Sequence, residues 1–172
     1  MFSDDETGYK ILTSSDINDG AVDWNKLQCI KYEDSKFDKY AIRKNDVIVT
    51  SKSSKVKVCV VDIEPNEKIL VTGGMIIVRP DILKLKPTYL KLYLDSANGQ
   101  IALKSIQRSA TIITVNSKDL AGIIIPNASL EKQEQVTKKY NSKLSTYLAL
   151  KEELKRIENS LSNLYSEEFE EE

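Results

Sequence analysis

Ile123-Ile124-Ile125-Pro126, followed by Ser129-Leu130-Glu131-Lys132-Gln133, divides this chain into two parts of different character. The β-branched triplet reads as an apolar strand, and the segment beyond it as a long helix starting near Ser129. Apolar residues recur along that helix at Val136, Tyr140, Leu144, Tyr147, Leu150, Leu154, Ile157, Leu161 and Leu164. From Tyr147 onward the steps alternate three and four, the seam of a coiled coil rather than the wider stripe of a globular helix. At 1.5 Å per residue, residues 129–165 would span roughly 54 Å, more than a small domain needs to cover itself. No Gly or Pro falls between Ser129 and Glu172 to turn the helix back. The expected organisation is therefore a domain over residues 1–128 and a dimerisation or partner-binding helix over residues 129–172.

With 172 residues, 41% hydrophobic and 30% charged, the composition is that of an ordinary water-soluble chain. No run approaches a membrane span, and the acidic start Met1-Phe2-Ser3-Asp4-Asp5-Glu6 is unlike a signal or transit peptide, so a cytoplasmic location is expected. Cys29 and Cys59 lack metal-ligand spacing. Cys59, inside Val56-Lys57-Val58-Cys59-Val60-Val61, reads as a reduced core thiol. Residues 1–128 hold eighteen of the 25 basic and sixteen of the 26 acidic residues, a net of +2 against −3 for the remainder. Most of that excess acid is Glu167-Glu168-Phe169-Glu170-Glu171-Glu172. Carboxylates at a helix C-terminus oppose the macrodipole, so a frayed, solvated tail is expected.

Before the divide, the chain reads as α+β: a mostly antiparallel twisted sheet first, then short helices. Strands are expected at Ala41-Ile42, Val47-Ile48-Val49, residues 56–61, Ile69-Leu70-Val71 and Met75-Ile76-Ile77-Val78-Arg79. Pro87 opens a helix over residues 88–97 with Asn98-Gly99 as its C-cap, and residues 100–106 form a further helical turn or two. Thr111-Ile112-Ile113-Thr114-Val115 reads as a strand, and Asn116 or Ser117 caps Lys118-Asp119-Leu120-Ala121. Tyr89 and Tyr93 sit at helical spacing and read as core.

The chain has no histidine, which removes His-based acid–base catalysis, Ser–His and Cys–His pairs and His metal sites. Its six glycines are scattered and build no phosphate loop. Asp16, Asp23 and Asp34-Ser35-Lys36 could be arranged as a nuclease-like acid set, but turn and capping roles explain them better. No catalytic residue, metal ligand or cofactor is expected, and the chain reads as a binding protein. Two polar clusters carry that expectation. Lys52, Ser53, Ser54, Lys55 and Lys57 could set ammonium and hydroxyl groups against phosphates. Lys104, Gln107, Arg108 and Ser109 combine cations with side chains able to read base edges. The plain alternative for each is a solvated loop.

The order of segments resembles the target-recognition half of a type I restriction–modification specificity subunit. The matching pieces are Asp16-Ile17 with Gly20, then the run from Tyr40-Ala41-Ile42-Arg43-Lys44-Asn45-Asp46 into Val47-Ile48-Val49-Thr50. Ile77-Val78-Arg79-Pro80, Pro87-Thr88-Tyr89-Leu90 and Leu92-Tyr93-Leu94-Asp95-Ser96 follow, with the passage from Val115 through Pro126 to Gln133 matching best. The likeness covers nearly the whole chain; each piece is degenerate, and their order makes it specific. There are two departures. The Trp-containing strand that usually precedes the Asp-Ile segment is missing or reduced to residues 1–11. The basic-turn glycine is Asn45, which tolerates the same left-handed backbone.

The resemblance implies a non-enzymatic subunit that brings an adenine methyltransferase subunit, and in some systems a translocating nuclease subunit, to a DNA site. S-adenosylmethionine would be bound by that partner. Full-length family members resemble two recognition domains and two helical arms in one chain. This chain has one of each, as a half-subunit or a truncated copy, and would act as a dimer through Tyr147, Leu150, Leu154, Ile157, Leu161 and Leu164. The alternative is an assembly or inhibitory protein that pairs through its helix and lacks DNA affinity of its own.

Overall fold

A computed structural model describes residues 9–30, 35–53, 55–108 and 113–169. The chain divides into two compact units, residues 1–133 and 134–172.

The first unit is built around one strand that is apolar on both faces. β5 (Val47–Thr50) is buried at all four positions and pairs antiparallel with β7 (Val58–Val60) and β9 (Met75–Val78). Because successive side chains of a strand point to opposite faces, Ile48 enters one core while Val47 and Val49 enter another. Cys59 and Val58 separate between the same two cores. The first core is closed by a second sheet, with β1 (Tyr9–Leu12) between β4 (Gln28–Ile30) and β8 (Ile69–Val71). β1 runs antiparallel to β4 and parallel to β8; every other ladder among the described residues is antiparallel. Two small antiparallel pairs complete the β structure among the described residues: β2 (Ile17–Asn18) with β3 (Ala21–Val22), and β6 (Lys52–Ser53) with β10 (Ile113–Thr114).

The second core lies under the helices α1 (Pro87–Asp95), α2 (Ala97–Ser105) and α3 (Ser117–Ala121), which bury Leu90, Leu94, Leu103 and Leu120. The α+β expectation holds. Its sheet is divided into several short ones, which lets a small unit enclose two cores. Cys59 is fully buried, and loss of hydration pushes its thiol up to about 12, so it stays protonated and unreactive.

Several local expectations need correction. Asn98-Gly99 is not a C-cap: both residues lie inside α2. Ser96 ends α1 through its backbone N–H, which bonds the Leu92 and Tyr93 carbonyls, and starts α2 by accepting from Gly99 N. Gly99 is required by contact, since a Cβ there would stand 1.9 Å from the Tyr93 carbonyl oxygen. Residues 123–125 are neither helix nor strand and make no ladder with any described residue. Ile123 and Ile125 pack against the second core while Ile124 is 86% exposed, so the period-two pattern is present without a partner strand. Ala41-Ile42 contributes one bridge, Ala41 with Leu70, instead of a strand. The ladder within residues 56–61 is limited to Val58–Val60. Of the run 111–115, Ile113–Thr114 form β10, and Thr111 and Ile112 lie outside the described residues.

Other local assignments hold. Asn45 has φ of 73°, the left-handed backbone expected of a glycine replacement. Asn116 caps α3 by accepting from Asp119 N at 2.8 Å. Asp16 accepts from Thr13 N and Oγ1, both at 2.7 Å, and Asp23 accepts from Asn25 N, so both acids cap turns. Asp34 lies outside the described residues.

The second unit is one helix. α4 (Leu130–Phe169) begins in the first unit, where Ser129 Oγ accepts from Lys132 N at 3.3 Å. Gln133, 2% exposed, uses its whole amide there, accepting from Lys86 N at 2.8 Å and donating to the Lys84 and Ala128 carbonyls. The helix runs into the acidic tail as far as Phe169, and Glu170, Glu171 and Glu172 lie outside the described residues.

Candidate nucleic-acid interface

The two polar clusters, fifty residues apart in sequence, meet through one strand. β10 pairs with β6 in the register Thr114 to Lys52 and Ile113 to Ser53. On its other side Thr114 exchanges backbone hydrogen bonds with Arg108, at 3.0 and 3.3 Å. The order Lys52, Thr114, Arg108 across this narrow layer sets the lysine-rich segment beside the end of α2, where Lys104 is exposed and Gln107 half-buried. The Val115 amide donates to the Ser51 carbonyl at 2.9 Å and ties the layer back to the end of β5. Ser54 and Ser109 lie outside the described residues.

The individual cations differ. Lys52 and Lys55 are exposed. Lys57 is half-buried, and its ammonium donates to the Ser14 and Ile17 carbonyls, each at 2.8 Å. An ammonium has three donors, so Lys57 commits most of its capacity to holding the segment before β2. Its first role is structural. Arg108 makes a 2.7 Å ion pair with Asp119, which also accepts from Asn116 Nδ2. With the Arg108 side chain 70% exposed, that pair is screened and weak, and it holds the guanidinium in place at little cost to its release.

Beside this layer lies an open cleft of about 540 Å³ lined by Asn18, Asp19, Lys55, Lys57, Asp95 and Gln100. Its rim is the Asp19–Gly20 turn, with φ of 52° and 75°, the pattern of a two-residue type I′ hairpin. Gly20 packs on Lys91, whose Nζ would lie 2.6 Å from an added Cβ. Lys91 is itself buried and paired with Asp95 at 2.7 Å. None of Asn18, Lys91, Asp95 or Gln100 is visible as a site residue in the sequence, because each is an isolated polar residue brought together only by the fold.

A second feature missed in the sequence lies in the basic turn. Asp46 is fully buried and grips Arg79 in a two-pronged pair, Nε to Oδ1 at 2.7 Å and Nη2 to Oδ2 at 2.8 Å, while accepting from Arg43 N at 2.7 Å. The Asp46 carboxylate raises the Arg79 pKa above its ordinary value. Two of the segments that carry the family resemblance are thus partners in one structural lock.

Among the described residues no group of three or more His, Cys, Asp or Glu is placed to hold a metal ion, and no helix is long and apolar enough to cross a membrane. In the helical unit, Tyr147, Leu150, Leu154, Ile157, Leu161 and Leu164 are 49–67% exposed, an unbroken apolar seam.

No protein-family model matches the chain. The type I restriction enzyme EcoBI specificity subunit of Escherichia coli is 28% identical over 137 residues, which is 79% of this chain and 28% of that protein. Two solved structures share the fold. One comes from work on complex assembly and conformational transition of the type I R-M system, with TM-score 0.63. The other is the HsdS subunit of Thermoanaerobacter tengcongensis, with TM-score 0.59. Each is 19% identical, and the match covers 95% of this chain and 37% of the other. The sequence similarity to a type I specificity subunit extends over most of this chain. The chain spans well under half the length of each of these relatives.

Proposed function

We propose that this chain is the non-catalytic, sequence-specific DNA recognition component of a type I methyltransferase complex, reading one half-site per chain. The observation that carries the reading is the meeting of the two polar clusters across β6, β10 and Arg108. Exposed lysines there supply phosphate contacts that fix position, while Arg108 and Gln107 have the donor patterns for base edges. The sequence similarity to a specificity subunit supports the same assignment. An adenine methyltransferase subunit would bind S-adenosylmethionine and perform the transfer, and a restriction or translocase subunit would be a further partner. The exposed seam of α4 supports pairing with a second copy. Two identical domains held by a twofold axis would read a palindrome interrupted by unread bases. The cytoplasm, where the DNA is, would be the place of action.

A second reading has its own support. Lys57 and Arg108 already have intramolecular partners, and residues 1–128 carry a net charge of only +2. An assembly or inhibitory protein that pairs through α4 without DNA affinity would look the same in these respects. Selection from a randomised duplex library by the chain assembled with its methyltransferase subunit separates the two. The recognition reading predicts one enriched motif with twofold symmetry. Recovery of unenriched sequence, from a complex that assembles normally, would establish the second reading.

A further inference from the structure

The cleft bordered by Lys55 and Lys57 is polar in a way that phosphate binding does not explain. Asp19 and Asp95 belong to its lining and, although Asp95 is paired with Lys91, they give the cleft acceptors as well as cations. What suits such a cleft is a neutral group that offers hydrogen-bond donors, flanked by phosphates held at the lysine rim. A nucleobase edge carrying an amino group has that character.

Two amides point to which edge. Asn18 is exposed, and its only described side-chain bond is a 3.3 Å donation to the Ser15 carbonyl. Gln100 is half-buried and donates one N–H to the Leu94 carbonyl at 2.8 Å. Among the described residues, each therefore retains a carbonyl oxygen and a second N–H. One donor and one acceptor on a planar amide complement the N6 amino group and N7 of adenine. Lys55 and Lys57 line the cleft, and Gln100 lies one helical turn before Lys104 on α2, so both cationic clusters lie near it.

The hairpin that carries Asn18 is braced before any ligand arrives. Lys57 holds the Ser14 and Ile17 carbonyls, and Lys91 backs Gly20 while paired to Asp95. A reader held rigidly forfeits less entropy on binding, so its discrimination is sharper.

From this placement we infer that Asn18 and Gln100 are specificity-determining residues that read an amino-bearing base, adenine first, inside the cleft of the half-site reader. The inference rests on the DNA-recognition reading above. It assigns base discrimination to residues outside the Lys52–Arg108 layer.

The test is selection from a randomised duplex library by the full chain assembled with its methyltransferase subunit, comparing the native protein with Asn18→Asp and Gln100→Ala. A carboxylate accepts from cytosine N4 but cannot donate to adenine N7. Asn18→Asp should therefore move preference at one position from adenine toward cytosine, a gain that misfolding cannot produce. Gln100→Ala should reduce discrimination at one position by about 5- to 140-fold, leaving other positions as in the native profile. If both variants match a sharply specific native protein, the inference is overturned and the recognition reading stands. If the native protein shows no preference, the recognition reading falls and this assignment with it. Loss of the methyltransferase subunit from either variant, with base preference unchanged, would overturn the inference and make the cleft a protein interface.

Discussion

The two units treat the same kind of residue in opposite ways. In residues 1–133, Val47, Ile48, Val49, Leu94 and Leu103 are at most 2% exposed, and both faces of β5 are covered by elements of the same unit. In α4, Leu150, Leu154, Ile157, Leu161 and Leu164 are 49–67% exposed. Each Leu or Ile left in water forgoes roughly 1.5–3 kcal/mol of burial. The first unit buries most of its apolar side chains among its own elements, with Leu83, Ile101 and Ile124 as the most exposed exceptions, whereas the helix presents a continuous exposed apolar seam. If the first unit reads DNA and the helix pairs, as proposed, substitutions should be able to disturb one without the other.

The largest effect should follow from breaking the seam. Leu154→Asp with Leu161→Asp removes two buried side chains per chain from a paired helix, at least about 3–6 kcal/mol for each chain before the cost of burying the new carboxylates. Light scattering should report a dimer for the native chain at micromolar concentration and a monomer for the variant, with the thermal transition of the first unit unchanged. A native monomer would leave a heteromeric partner as the occupant of the seam.

Gly99→Ala acts only on the first unit. With backbone 1.9 Å from the new methyl group, α1 and α2 must move apart, and overpacking of this kind costs about 1–3 kcal/mol or more. A lowered melting temperature with unchanged dimerisation would sharpen the division between the units. Equal loss of both would show that they are coupled.

The lysines provide the smallest and finest contrast. Lys57→Ala should destabilise the unit by about 1–3 kcal/mol, since two carbonyls lose a charged donor. Lys52→Ala with Lys55→Ala should reduce the slope of log K against log salt by roughly 1.8 if both contact phosphates. A slope change from Lys57→Ala equal to that of either exposed lysine would return Lys57 to the phosphate contacts.

What was legible in the sequence depended on the range of the interaction. The seam of α4 and the buried run of β5 are patterns written in neighbouring residues, and both stand in the structure. The cap at Asn116 and the left-handed Asn45 were legible for the same reason. Ser96 was missed because one residue both ends α1 and starts α2, which draws Asn98-Gly99, a turn signal in isolation, into a helix. Residues 123–125 show that an alternating apolar pattern sets which side chains are buried but not whether a partner strand exists. The two candidate clusters were legible as sequence segments, but not the layer in which the fold joins them. Lys57 finds its carbonyl partners forty or more residues away, and Asp46 meets Arg79 across thirty-three. No local pattern announces such meetings.

Genome-wide mapping of adenine methylation, in cells with and without this gene and with its methyltransferase subunit present in both, tests the central claim most directly. The account predicts gene-dependent methylation confined to one interrupted palindrome, its two halves identical in sequence. Identical methylation maps in the two strains, with the methyltransferase subunit present and folded, would contradict it.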